Sequence, residues 1–427
     1  MKTFFEPRSV AVVGVSESPT NLGRRIMNNM IQFDYSGIVY AVGPKGGVIH
    51  GRRIYHSVLD IPDQVDLAVI LTPARTIPQI IDDCGRKGIS HTIIESAGFR
   101  EYGDDGVALE NEILDIAGRW PIRLLGPNGI GTMNMENGLA TPFAILSSGL
   151  AAGGISIISQ SGGVGLSYMN LLASESLGLN KFASVGNKLD VDENDILEYL
   201  IEDEGTKIIC MYLEGISDGR RLMEIAARSD KPILLHKSNI GEMGNRIAHS
   251  HTAALSSDDK VVDAALRQCG IIRFHDMHKL GNFLKILALP PMRGKNLAIL
   301  SRSGGHAVIA ADACEMAGFD LPQFPGEFLA AIEKHFRANV IKLMNPLDLG
   351  DLFDPDVYTR IMEETIKRDE IDGIVFLHTY NPQNEMDKSR KLLPVIEQLS
   401  DRYTKPIAVC ISSEEGEISL LRKDYAY

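Results

Sequence analysis

The sequence predicts an α/β protein built on parallel sheets, and three observations carry that reading. Short β-branched runs of four to eight residues alternate with longer amphipathic stretches through nearly all of the 427 residues. The runs are apolar throughout rather than alternating, the pattern of strands covered on both faces. The third observation is an internal echo. Ser159-Gln160-Ser161-Gly162-Gly163 follows a strand at 155–158, and Ser301-Arg302-Ser303-Gly304-Gly305 follows one at 297–300. Each turn runs into a helix that ends near Leu-Gly or Ala-Gly. The shared strand–turn–helix context favours duplication over chance, and places two related doubly wound domains behind a first, different one.

Taken in order, strands are expected at 9–13, 38–42, 67–71 and 92–95, with helices at 23–32 and 77–87 between them. A Ser-, Ala- and Gly-rich stretch at 147–154 separates the first unit from a strand beginning at Ile155. The stretch 289–294, with Pro290 and Pro291, precedes the strand at Leu297. The expected domains are therefore 1–146, 147–290 and 291–427, in line with roughly 150 residues per domain.

Composition narrows the function. Hydrophobic residues make up 44% and charged residues 23%, which is globular composition. The net charge of -13 disfavours a general nucleic-acid binder, because phosphate contacts need a basic surface. Five scattered cysteines without a C-x-x-C pair read as core thiols in a reducing compartment. Glu6 interrupts any secretory apolar region, and no run is long enough to span a bilayer, so the expectation is a cytoplasmic protein without membrane partners.

In the first unit, Gly14-Val15-Ser16 follows the first strand, and Asn21-Leu22-Gly23 opens a helix. Such a turn lets backbone N–H groups reach a phosphate, although its spacing is not G-x-G-x-x-G and a plain tight turn explains it equally well. The second strand ends in Gly43-Pro44-Lys45 instead of the acid that binds a bare ribose, and a lysine there suits a phosphorylated ribose, as in coenzyme A or NADP. Thr72-Pro73, Ser96-Ala97 and Asn128 lie at later strand ends, where ligands bind in open parallel sheets.

The second unit carries three features. Gln160-Ser161-Gly162-Gly163 at a helix N-terminus suits an anion, or is simple capping. Glu214 directly follows an apolar strand at 207–213. His249 and His251 lie in a loop rich in Ser, Thr and small residues after the strand at 232–236. Spacing alone leaves a nucleophile, metal ligands or surface residues open; with no nearby Cys or acid cluster, metal is disfavoured.

The series S-V-A-V-V-G, P-K-G, S-A-G-F-R-E, G-P-N-G-I-G, S-Q-S-G, S-V-G-N-K-L-D, Y-L-E-G-I and S-H-T-A-A-L resembles the nucleoside-diphosphate-forming acyl-CoA synthetases, relatives of succinyl-CoA synthetase. The ADP-forming, acetate-utilising type is the nearest in pattern, and the match runs along essentially the whole chain. The resemblance implies a Rossmann-like CoA-binding domain followed by two flavodoxin-like ligase domains, as in the α subunit of two-subunit forms. It makes His251 the phosphorylated histidine, Glu214 the acid that orients it, and Gln160, Ser161, Gly162 and Gly163 the phosphate cradle. Gly14, Val15, Ser16, Gly23, Lys45, Thr72, Pro73, Ser96, Ala97 and Asn128 would hold CoA. Ala253 departs from the family's Gly after S-H-T, and Ser256-Ser257 from its Ala-Gly.

The implied reaction interconverts acyl-CoA, phosphate and ADP with carboxylate, CoA and ATP. A neutral imidazole nitrogen can take up and release a phosphoryl group near pH 7. Neither an ATP-grasp stretch nor a G-x-x-x-x-G-K-[ST] loop is present in the sequence. The nucleotide, with Mg2+, is therefore expected on an ATP-grasp β subunit or fused domain, in an oligomer. The third unit stops soon after its strand at 407–411, as a shortened chain or the leading part of a fused one would. Two other readings are a catalytically silent CoA-binding or regulatory module, motivated by Ala253, and an NADP-dependent oxidoreductase, motivated by Lys45.

Overall fold

The computed structural model describes residues 1–241, 258–335, 343–350, 352 and 354–424. They divide into two compact units, 1–281 and 282–427. The first unit holds two seven-stranded sheets and the second a four-stranded sheet.

The first sheet is made of β1 (Ser9–Val13), β2 (Ile38–Val42), β3 (Val48–Ile49), β4 (Arg52–Tyr55), β5 (Leu67–Ile70), β6 (His91–Ile94) and β7 (Arg123–Leu125). Its order is β3-β4-β2-β1-β5-β6-β7, parallel except for the short β3–β4 pair. Every residue of β1 and β5 is buried, as continuous apolar strands require when helices cover both faces. The helix expected at 77–87 forms over Ile77–Lys87 and ends at Gly88 in the left-handed conformation. The helix expected from 23 starts one residue earlier, at Leu22.

The second sheet contains β8 (Thr132–Asn134), β9 (Leu139–Ala140), β10 (Ala152–Ser159), β11 (Leu179–Ser184), β12 (Ile208–Leu213), β13 (Ile233–Lys237) and β14 (Ile272–Arg273). Its order is β14-β13-β12-β10-β11-β8-β9. The five parallel strands, counted from β10, thus follow the flavodoxin-like order 2-1-3-4-5. Two details differ from the sequence reading. Residues Ala152–Gly154, expected in a break, belong to β10, because a Cβ on Gly153 would lie 2.4 Å from Gly178 Cα and only glycine permits that approach. Strands β8 and β9, which lie inside the range 1–146 expected as the first domain and were not expected as strands, pair antiparallel onto β11 and with each other.

The N-terminal residues tie the two sheets together. Phe4 and Phe5 are fully buried, and Phe5 stacks on Tyr199 at 5.0 Å. Thr132 Oγ1 donates to the Phe4 carbonyl and Asn134 Nδ2 to that of Phe5. Residues of both sheets share one hydrophobic cluster.

The unit 282–427 carries β15 (Leu297–Ser301), β16 (Leu347–Asp348), β17 (Gly373–Thr379) and β18 (Ile407–Ser412), all parallel in the order β16-β15-β17-β18. Counted from β15 this is 2-1-3-4, the second sheet's order without its fifth strand. Local bonding repeats as well. Ser159 Oγ donates to the Ser161 carbonyl at 2.6 Å, and Ser301 Oγ to the Ser303 carbonyl at 2.8 Å. Asn345, which precedes Pro346, is buried and bonds along β15, accepting from Ile299 N and donating to Leu297 O. No helix among the described residues is long and apolar enough to cross a membrane.

Candidate active site

The carboxyl edge of the first sheet holds two adjoining hollows. One, of about 240 Å³, is lined by Gly14, Pro44, His56, Thr72, Pro73 and apolar side chains including Val58 and Ile80. The other, of about 460 Å³, is lined by Thr20 to Gly23, Leu71, Thr72, Pro73, Ser96 and Ala97. The turn between them is rigidly bonded. Gly14 has φ +107°, and a Cβ there would stand 2.1 Å from the Leu71 carbonyl oxygen. Asn21 caps the following helix. Its Oδ1 accepts from Arg24 N and Ser16 N, and its Nδ2 donates to Gly14 O.

These bonds change the role of part of the expected donor set. The N–H groups of Gly14 and Val15 both point to the Val42 carbonyl, and Val15's side chain is buried in the core. With Ser16 N bonded to Asn21, the turn's three N–H groups shape the loop. The N-terminus of the helix Leu22–Gln32, where Gly23 sits, is the part with donors lacking intrahelical partners. Thr72 and Ser96 are bonded reciprocally: Ser96 Oγ donates to Thr72 O at 2.6 Å and accepts from Thr72 N at 3.0 Å. Lys45 is exposed and lines neither hollow. Asn128, at φ +61°, donates its side-chain Nδ2 to Asn187 Oδ1 and its backbone N–H to the Ser96 carbonyl. His56 was not singled out in the sequence, since it follows a short strand without any motif.

Beside Ser96, Glu95 is buried with neither carboxylate oxygen hydrogen-bonded among the described residues. Burial pushes its pKa well above the usual carboxylate range. The loop that follows β7 leads from here to the second sheet, where a Cβ on Gly162 would lie 2.6 Å from Ile130 Cγ2.

In the second sheet, the strand order reverses between β10 and β12, the place where doubly wound folds bind ligands. Ser161 caps the helix Gly162–Ser174 by accepting from Val164 N. Glu214 directly follows β12, half-buried, and its carboxylate makes no hydrogen bond or ion pair among the described residues. Gln160 joins the two strand ends. Its Oε1 accepts from Glu214 N at 2.9 Å and Gly215 N at 3.1 Å. The structure therefore brings Gln160, Ser161, Gly162, Gly163 and Glu214 to one edge, with Gln160's side-chain oxygen committed to the backbone. His251, His249 and Ala253 lie outside the described residues.

Comparison with known proteins places this geometry. Residues 8–135 match a CoA binding domain, and residues 152–287 a succinyl-CoA ligase-like flavodoxin domain. The α subunit of ADP-forming acetate–CoA ligase I from Pyrococcus furiosus is 36% identical over 420 residues, covering 96% of this chain and 89% of the relative. The chain belongs to the ADP-forming acyl-CoA synthetases. Within that family, ADP-forming acetate–CoA ligase II of Archaeoglobus fulgidus is 34% identical over 96% of this chain, which spans 61% of that longer relative. The dinucleotide-forming acetyl-coenzyme A synthetase 1 of Ca. Korarchaeum cryptofilum, solved with phosphate and ADP, superposes with a TM-score of 0.91 at 29% identity, over 99% of this chain and 92% of that one.

Proposed function

We propose that this chain is the CoA-ligase part of an ADP-forming acyl-CoA synthetase and carries the phosphoryl group on His251. The observation that carries the reading is the bridged edge at β10 and β12: a helix N-terminus, and the backbone of an acid whose carboxylate has no partner among the described residues, joined through Gln160. The helix end, with unpaired N–H groups and a positive dipole, suits phosphate oxygens. A carboxylate beside it suits the second ring N–H of an imidazole, fixing the tautomer.

In the acyl-CoA-consuming direction, a phosphate oxygen attacks the thioester carbonyl and the C–S bond breaks, leaving acyl phosphate and the CoA thiol. An imidazole nitrogen of His251 then attacks phosphorus, and the carboxylate leaves. ADP finally takes the phosphoryl group from the ring, giving ATP. Stabilising the transferring oxygens with preoriented N–H groups avoids solvent reorganisation. CoA fits the first sheet's two hollows: the smaller, mostly apolar one suits a planar base, and the helix N-terminus at Gly23 suits its phosphates. Ser96, Ala97, Thr72, Pro73 and Asn128 would line the path. Lys45, exposed beside Pro44, would meet a ribose phosphate.

ATP, ADP and Mg2+ would be held by an ATP-grasp partner subunit or domain, the small carboxylic acid by the acyl end of the CoA path, and the three sheets would serve as three domains of an oligomeric, cytoplasmic enzyme. The test is to incubate the chain and its ATP-grasp partner with γ-labelled ATP. Acid-labile label on the chain, abolished in His251→Asn and reduced in Glu214→Gln, is expected. CoA binding without any label, with an active partner present, would overturn the reading in favour of a silent CoA-binding module.

A further inference from the structure

The strand end that carries Glu214 is held on two sides. Gln160 takes its N–H groups. On the carbonyl side, Lys237 Nζ donates to Glu214 O at 2.7 Å, and Lys188 Nζ to Gly215 O at 2.7 Å. Both lysines are buried: Lys237 is 3% exposed, and the Lys188 side chain 8%. They differ in counter-charge. Lys188 pairs with Glu193 at 2.8 Å. Lys237 forms no ion pair among the described residues, and its ammonium meets only the carbonyls of Glu214 and Ser238. Arg273, also buried, is paired with Asp259 and Asp263.

Burying an ammonium without a carboxylate is unfavourable, and an apolar side chain of similar volume at the end of β13 would avoid the penalty. The bonds that Lys237 makes point to what offsets it. We propose that Lys237 is a positioning residue for Glu214, fixing its peptide through the carbonyl and keeping a positive charge behind its carboxylate. The inference rests on the reading that Glu214 orients the phosphorylated histidine. Gln160 and Lys237 grip opposite sides of one residue, so the peptide planes on either side of Glu214 are set independently of the side chain. The carboxylate is left without a cation bound to its oxygens among the described residues.

The groups facing the ammonium are Glu214 after β12, Lys188 in the turn after β11, Asp259 on the helix Asp259–Gln268, and Arg273 on β14. Burial dominates among them and lowers the pKa of Lys237 to about 8. The positive charge is therefore present below that pH and lost above it, which supplies a readout that a purely structural lysine would not.

The experiment is single-turnover phosphorylation of the full chain with its ATP-grasp partner and labelled ATP, from about pH 6 to pH 10. Wild type, Glu214→Gln, Lys237→Met and Lys237→Arg are compared. Lys237→Met is expected to slow phosphoryl transfer on the order of ten- to a hundred-fold with CoA affinity unchanged, as for loss of an outer positioning partner. Lys237→Arg is expected to restore most of that rate and to move the alkaline fall in activity above pH 8, because a guanidinium does not titrate there. A folded Lys237→Met chain with the wild-type rate and pH profile overturns the inference. Should that variant not fold, a Lys237→Arg profile that still falls at pH 8 overturns it. Wild type that takes no label defeats the underlying reading instead. Label lost in Glu214→Gln but unchanged in Lys237→Met defeats this inference alone.

Discussion

Gln160 occupies the turn expected as a phosphate cradle, and its side-chain oxygen accepts from two backbone N–H groups 54 and 55 residues away. Gln160→Leu leaves both donors without that partner, at a cost of about 1–3 kcal/mol. A lower melting temperature in calorimetry and slower histidine phosphorylation are expected, with CoA affinity unchanged. Glu95 makes a pH prediction of opposite character. Its folded pKa is raised, so its contribution to stability is fully present below the unfolded value of about 4.5 and is lost as pH rises toward the folded value. Relative to Glu95→Gln, wild type should lose about 1.4 kcal/mol per pH unit across that window. Parallel denaturant titrations giving a pH-independent difference would contradict this. Glu214 was legible as an acid after an apolar strand. Its supports Gln160, Lys188 and Lys237 were not legible as such, because bonds across such separations leave no local pattern.

At the scale of elements, apolar runs separated by amphipathic stretches were enough to place the strands around Ser9, Ile38, Leu67 and Ile407 to within a residue at each end. The misreading at Ala152–Gly154 has a physical source: two glycines signal a loop in one dimension but serve here for close strand approach. The turn after β1 shows a similar limit. In one dimension its glycine suits a phosphate contact and a plain tight turn equally well, and in the fold its N–H is bonded to Val42 O. Gly14→Ala forces a side chain into φ +107° and against the Leu71 carbonyl. We expect destabilisation of more than about 2 kcal/mol and at least a ten-fold weaker CoA affinity by calorimetric titration, since the turn frames both hollows.

At the scale of the whole molecule, duplication could be read from S-x-S-G-G because both copies keep the strand order and the same serine-to-carbonyl bond. The attachment of β8 and β9 to the second sheet, and the role of Phe4 and Phe5, depend on pairings that short segments do not announce. The unit 282–427 has its own hydrophobic core. Expressed alone, it should melt cooperatively by circular dichroism; a non-cooperative melt would count against its independence. Without a nucleotide-binding partner, the full chain should bind CoA but acquire no label from ATP.

The two serine-to-carbonyl bonds enclose middle residues of opposite hydrogen-bonding polarity. Where Gln160 receives protons from the backbone, Arg302 gives them, to the Thr379 carbonyl and to Glu385. An arginine cannot accept amide hydrogens, so the turn at Arg302 has no counterpart to the grip of Gln160 on Glu214, and grafting Gln160's chemistry there would require rewiring the strand end, not merely exchanging one side chain.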